Sequence, residues 1–536
     1  MKMPWNEATG HEIGAAWLES AIAPVGEFGR RVRRAERAFV SGDETRARSA
    51  IAAVVRAAQT LTPETIENAR RRIGAAPEPE ALVTRALAGD VLADDDFFEL
   101  QRFLDASGGV RAALRELPPG IAGMPEPLED LERALEPGRM PGGAFLLADA
   151  FDPQLRLARD QATLRRAALD TARAALSARV AGELGLEHLR EGEFILMREQ
   201  VERGVPEGLR VVREAPTYLL CELILGPPEI EALAASETAE AAVAECEERL
   251  RARLTAFVLE AAARIVAACD ALGALDSFLA RVRFAQSYEA VEPEVVERGE
   301  PLEFEAARYL PLEERLAATE RRYEPISLSL ARVAVVTGPN MGGKTAALRA
   351  CGFLAACVAR GVPVPACSAR VPLFDEIDWI GIGAMEETAL LSSFGKELIE
   401  LRALLERPPR AALVLIDEFA RTTSPREGRA LLVALLETLR TRGAHAFAAT
   451  HLGGIAEAAG VDHYAIAGLR SAPARGEALG LDDALALVAR AIDHRLTRVS
   501  GDGAGSDALA LAEMVGLEGD YLTRAKALLE PGNSKR

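Results

Sequence analysis

Residues 333–345 read Val-Ala-Val-Val-Thr-Gly-Pro-Asn-Met-Gly-Gly-Lys-Thr, an apolar run that breaks into a glycine-rich turn and ends on an amine and a hydroxyl. Gly338 and Gly343 bracket the spacing G-x-x-x-x-G-K-[ST]. Positions without side chains let consecutive backbone N–H groups turn inward around phosphate oxygens. Pro339, Asn340, Met341 and Gly342 complete the loop, Lys344 is placed to meet the β- and γ-phosphates, and Thr345 offers a hydroxyl to Mg²⁺. The chemistry is that of a nucleoside triphosphate site. Such a loop works only when a strand delivers it and a helix leaves it. Val333 to Val336 supply the strand, and residues 346–350, Ala-Ala-Leu-Arg-Ala, open a helix whose positive end then points at the phosphates.

A second apolar run, Leu413 to Ile416, ends in Asp417 and Glu418. A strand ending in two carboxylates can place one acid on the Mg²⁺ shell and a second beside the attacking water. Asp417 is then the metal-side acid and Glu418 the candidate base.

The loop Thr-Gly-Pro-Asn-Met-Gly-Gly-Lys-Thr at 337–345 resembles that of the MutS family, the DNA mismatch-repair ATPases and their paralogues. Residues 417–428, Asp-Glu-Phe-Ala-Arg-Thr-Thr-Ser-Pro-Arg-Glu-Gly, resemble the family's D-E-x-x-R-G-T-S-x-x-D-G signature, with Thr422 in place of the glycine. The resemblance implies ATP and Mg²⁺ as ligands. It also implies roles for residues that carry no such meaning alone. His451, closing Ala-Phe-Ala-Ala-Thr-His at 446–451, resembles the switch imidazole that contacts the γ-phosphate or the water. Tyr323, in Tyr-Glu-Pro-Ile-Ser-Leu, aligns with an aromatic that stacks on adenine, and Arg498 lies near a second stacking position. Ser392, in the Ser-Ser-Phe that follows Ile-Gly-Ala-Met-Glu-Glu at 382–387, resembles the serine that reaches the nucleotide of the other subunit. Ser392 acting in trans implies a composite site and a homodimer formed through the ATPase domain. Leu390 and Leu391 stand where the family usually has glycine and arginine, and Asp507-Ala508 replace its Tyr-Gly in the S-Y-G-[IL]-x-V-A region.

The expected fold is an α/β P-loop NTPase domain at the C-terminal end, joined to a mainly α-helical core and lever domain with a small β-rich insert. A chain of 536 residues has room for several domains, since single cores stop growing near roughly 250–300 residues. Apolar residues three and four apart, with charges between, predict long helices over 155–184 and 238–275. Between them lie short apolar or alternating runs at 194–198, 210–213 and 217–225, bounded by glycine and proline as strands are. Helix out, small β insert and helix back is similar to the family's lever-and-clamp layout. The expected division is 1–187 helical core and outgoing lever, 188–228 clamp-like insert, 229–299 returning lever and linker, and 300–536 ATPase domain with a C-terminal helical element. Neither a mismatch-recognition and connector domain nor an Smr-type nuclease domain is expected in this chain. Phe97-Phe98-Glu99 sits in an acid-capped helical pattern, which predicts core packing rather than a wedge into DNA.

Six cysteines without a C-x-x-C pair predict reduced thiols rather than zinc or a disulfide framework. No apolar run approaches the roughly 20 residues of a membrane helix, and the first residues lack a signal-peptide core, so the expected location is cytoplasmic with no membrane contact. A net charge of −18 opposes non-specific DNA binding, which draws on neutralised phosphates. Arg30, Arg31, Arg33 and Arg34, and Arg70 to Arg72, are the candidate basic patches. Two functions follow. The first is a dimeric MutS-type ATPase coupled to DNA. The second is an ATP-driven protein-remodelling subunit acting on a protein client, similar to the MutS-related reactivases of cobalamin-dependent lysine aminomutases.

Overall fold

Apolar spacing over 155–184 folds as helix Pro153–Leu184 in the computed structural model. Asp152 caps its start by accepting from the Gln154 amide, proline occupies the first turn, and left-handed Gly185 closes the other end. The structure describes residues 3–189, 192–202, 204–338, 343–381, 393–469, 492–499 and 519–529, with Leu509, Ala512 and Leu517. The chain divides into two compact units. One comprises Ala76–Gly108 and Pro125–Cys269, and the other Met1–Ala75, Gly109–Met124 and Asp270–Arg536.

The first of these units holds a short hairpin, β1 (Arg139–Met140) with β2 (Ala144–Phe145). It also holds β3 (Phe194–Met197), β4 (Leu209–Glu214) and β5 (Tyr218–Leu223), an antiparallel sheet in the order β3-β5-β4. The alternation in these strands decides which face is covered. Phe194, Leu196, Leu209, Leu219 and Cys221 pack on Leu176, Val180 and Leu184 of the helix. Helix Pro227–Ser287 runs for 61 residues, with Glu229 accepting from the Gly226 amide at its start. Phe97 is fully buried here, 5.4 Å from the Phe145 ring, as its periodicity predicts, while Phe98 is only half-buried.

The second unit contains β6 (Glu294–Val296), β7 (Leu302–Ala307), β8 (Ile326–Leu330), β9 (Val333–Thr337), β10 (Ser368–Pro372) and β11 (Glu376–Gly381). Beyond these come β12 (Ala412–Asp417), β13 (His445–Ala449), β14 (Asp462–Leu469) and β15 (Ile492–Arg498). One sheet runs β6-β10-β7-β8, the other β11-β12-β13-β9-β14-β15. Strands β11 to β14 and β9 are parallel neighbours, and β15 closes the edge antiparallel to β14. Every residue of β9 and β13 is buried, as continuous apolar runs covered on both faces should be. Helix Lys344–Ala359 leaves β9 and is buried for most of its length in the main core. The N-terminal helices belong to the same unit. The Ile377 amide donates to the Pro4 carbonyl at 2.6 Å, and Arg349 pairs with Glu12 at 2.6 Å.

All six cysteines are free, with Cys221, Cys269, Cys351 and Cys357 buried, Cys246 partly so and Cys367 exposed. Among the described residues no helix is long and apolar enough to cross a membrane.

His445 opens β13 with its Nε2 2.9 Å from the Glu300 carbonyl. Burial, reinforced by the Arg332 charge, pushes its pKa down to about 4. The folded state therefore binds this proton less tightly than the unfolded chain, whose histidine titrates near 6.5, so the residue favours folding above that pH. Acidification from about 6.5 to about 4 should erode stability by up to about 1.4 kcal/mol per pH unit from this residue. Melting curves should show that His445→Gln flattens the pH dependence in that window; an unchanged slope would remove His445 as its source.

Candidate functional site

Parallel pairing sets the site before any side chain is considered. Val336 of β9 is level with Ala449 of β13, Ala449 with Asp417 of β12, and Asp417 with Gly381 of β11. The carboxyl ends of four adjacent strands thus finish on one line, where open α/β sheets bind ligands. The chain leaves β9 through Gly338 at φ 146°, where a Cβ would come within 2.9 Å of Ile466 Cβ, so only glycine fits. Gly343 at φ 104° precedes the helix, and Lys344 is its first residue. Pro339, Asn340, Met341 and Gly342 lie outside the described residues.

The predicted side chains from two distant segments meet here. Thr345 Oγ1 donates to the Asp417 carboxylate, 3.1 and 3.0 Å from its two oxygens. The buried Lys344 donates from Nζ to the Gly338 carbonyl at 2.7 Å and stands 3.8 Å from Glu418 Oε1. Arg421 is 3.3 Å from the other Glu418 oxygen. In a continuing strand Asp417 and Glu418 would point to opposite faces. They instead approach consecutive residues, Thr345 and Lys344. The reversal comes from the backbone, since Glu418 at φ 50° and Ala420 at φ 60° are both left-handed. Such residues cost about 1–2 kcal/mol each, so the turn must be held from outside. The Glu418 amide donates to the Ala449 carbonyl at 3.0 Å, and the Ala420 amide to Glu397 Oε2 at 2.8 Å.

Burial pushes the Asp417 carboxyl above its usual range, with the Glu418 charge adding to the shift and the Thr345 hydroxyl opposing it. Burial pushes Lys344 down, opposed by Glu418 and Asp417. An acid, an amine and a hydroxyl held in low dielectric interact with charge more strongly than they would in water. The donor set suits Mg²⁺, which takes one or two protein oxygens and fills its shell from phosphate and water. Among the described residues no group of three His, Cys, Asp or Glu gathers as a transition-metal cage would.

The other predicted residues are placed less closely. His451 is exposed just beyond β13. Thr450 amide bonding to the Val336 carbonyl at 3.1 Å fixes the chain immediately before it. Tyr323 is half-buried, its ring packed against the main core and its hydroxyl buried, which pushes its pKa up. Ser392 lies outside the described residues, as do the segment 382–391 and the Asp507-Ala508 pair. Arg498 is tied to Asp462.

Sequence reading missed two contacts. Thr337 Oγ1 lies 2.8 Å from Nε2 of buried His463 on β14, at the last residue before the glycine loop. Glu397 reads in sequence as one acid among several on an amphipathic helix, and only the tertiary fold brings it to Ala420. The basic patches are partly absorbed into the structure, with Arg33 and Arg70 buried and Arg30, Arg31, Arg34, Arg71 and Arg72 exposed. Arg30 and Arg34 pair with Glu27 at 2.6 and 2.8 Å, and Arg33 is buried against Glu19 and Glu36 at 2.9 Å each. Arg70 is buried, donating to the Ala23 carbonyl at 3.0 Å.

Comparison with known proteins agrees with this geometry. Residues 334–469, which include the loop, both acids and His451, match MutS domain V. The chain is 30% identical to the DNA mismatch repair protein MutS of Thermus thermophilus, over 99% of this chain and 60% of that protein. It is 30% identical to the DNA mismatch repair protein MutS of Thermus aquaticus, over 88% of this chain and 55% of that protein. It is 32% identical to the Endonuclease MutS2 of Thermomicrobium roseum, over 53% of this chain and 35% of that protein. The chain thus spans between 35% and 60% of the length of these three curated relatives. A strand-loop-helix with Thr345 on Asp417, inside a matched domain V and with relatives that align along nearly the whole chain, places this chain in the MutS family.

Proposed function

We propose that this chain binds ATP with Mg²⁺ in the loop at 338–345, hydrolyses it with Glu418 as base, and does so as a homodimer that binds DNA. The observation that carries the reading is the Thr345 hydroxyl on the Asp417 carboxylate, with Lys344 and Glu418 beside them at adjacent strand ends. Thr345 and Asp417 would hold the metal, and Mg²⁺ would supply charge neutralisation on the phosphate oxygens. Lys344 would give up the Gly338 carbonyl for a phosphate oxygen. Backbone amides of the loop and of the helix opening at Lys344 would bind the remaining charge. Glu418 would orient the attacking water and accept its proton. His451 would sense the γ-phosphate from the end of β13, Tyr323 would support the adenine, and Ser392 would reach the nucleotide of the partner subunit.

The DNA component rests on the relatives whose printed names include DNA mismatch repair. Exposed arginines of the helix-and-insert unit, Arg165, Arg173 and Arg213, are the proposed phosphate contacts. The proposed organisation keeps the insert at 188–228 as a clamp-like module between lever helices, with the ATPase domain from 300 onward. Sedimentation velocity with a fluorescent duplex and ATP tests both assembly and partner. The expected result is a dimer that carries the duplex at low salt and loses about 10- to 100-fold in affinity between roughly 50 and 200 mM salt. A monomer with no bound duplex at any salt, and turnover stimulated by a protein client, would favour the remodelling function instead.

A further inference from the structure

The turn after β12 is held by a residue outside the nucleotide motifs. Glu397 lies on helix Ser393–Glu406 and is 3% exposed, a rare environment for a glutamate. One carboxylate oxygen accepts from the Ala420 amide at 2.8 Å, and the other has no hydrogen-bond partner among the described residues. A buried acid that makes one hydrogen bond is costly unless that bond has a task. The bonded amide belongs to the second of two left-handed residues, with Phe419 between them buried in the core and Glu418 turned toward Lys344. The same turn is closed on its far side by the Thr423 amide on the Ala420 carbonyl at 3.2 Å. Release of the Ala420 amide would let the chain relax toward extended backbone, and Glu418 would then swing to the face away from Lys344.

We propose that Glu397 is a positioning residue for the base: by accepting the Ala420 amide it holds the left-handed turn that aims Glu418 at the phosphate loop. The inference rests on the proposed role of Glu418 and extends it to Glu397, a residue to which no nucleotide motif assigns a role. Burial pushes the Glu397 carboxyl toward its neutral form, and a neutral carboxyl still accepts the amide through its carbonyl oxygen. A glutamine at this position should therefore serve as well as the acid.

Glu397→Leu removes the acceptor at similar volume, and Glu397→Gln keeps one. Steady-state ATP turnover of Glu397→Leu should fall about 100-fold through misplacement of the base, with KM and the affinity for a fluorescent ATP analogue within about threefold of wild type. Glu397→Gln should restore turnover to within about threefold of wild type. In the Glu418→Gln background Glu397→Leu should cost no more than about twofold, because the group it positions is already gone. Equal losses in the leucine and glutamine variants, or additive losses in the double variant, would overturn the assignment. Hydrogen exchange at the Ala420 amide decides the contact independently of turnover. The amide should be protected in wild type and in Glu397→Gln and should exchange at least about tenfold faster in Glu397→Leu. Equal exchange in all three would overturn the proposal even if the chain proves to be an active ATPase. Wild-type turnover by Glu418→Gln would instead overturn the reading on which the inference rests.

Discussion

Lys344→Ala should leave ATP binding too weak to measure at concentrations that saturate the wild type. The amine is buried at the first position of its helix, where it donates to the Gly338 carbonyl and stands 3.8 Å from Glu418. Burial lowers its pKa, and the Glu418 and Asp417 charges oppose that shift. Truncation leaves Glu418 and Asp417 facing the phosphates without the Lys344 charge. Removing one partner from a desolvated charge pair costs about 2–5 kcal/mol, which is roughly 30- to 5,000-fold in affinity. Calorimetric titration with Mg²⁺ and ATP reads the loss directly, and a melting curve checks that the fold survives. Affinity within a few-fold of wild type would remove Lys344 from the phosphate site.

Glu418→Gln should separate binding from chemistry. The amide keeps the size of the acid and one acceptor oxygen, so the turn and the phosphate loop are retained. The ability to take a proton from water is not. Loss of a positioned general base costs about 100- to 10,000-fold in rate, so turnover should fall by at least about 100-fold while affinity stays within about threefold. Asp417 cannot substitute. Its two oxygens lie against the Thr345 hydroxyl, and moving it would open the position proposed for the metal.

The elements around the loop were legible in the sequence because the residues that mark them are contiguous. Gly338, Gly343, Lys344 and Thr345 are contiguous, and the predicted strand and helix around them are β9 and helix Lys344–Ala359. Asp417 and Glu418 were readable as a pair for the same reason, although strand alternation alone would have sent them to opposite faces. What reunites them is the left-handed backbone at Glu418 and Ala420, which no local propensity announces, since neither residue is glycine. Contacts across many residues were not readable. Glu397 on Ala420 and His463 on Thr337 use ordinary residue types at positions without a pattern, and only sheet order brings them together. The arginine runs misled in the opposite sense. Four of the first six side chains at 30–37 are arginine at helical spacing, which looks like a basic face, yet Arg33 turns inward to two glutamates from separate segments. Charge runs report composition; burial decides their use.

Phosphate release from radiolabelled ATP by the Glu418→Gln protein, followed alongside the nucleotide retained on the protein, tests the central claim most directly. The account predicts stoichiometric ATP held intact on the protein, with release slowed at least about 100-fold against wild type. Release at the wild-type rate, or no nucleotide retained by either protein, would contradict it.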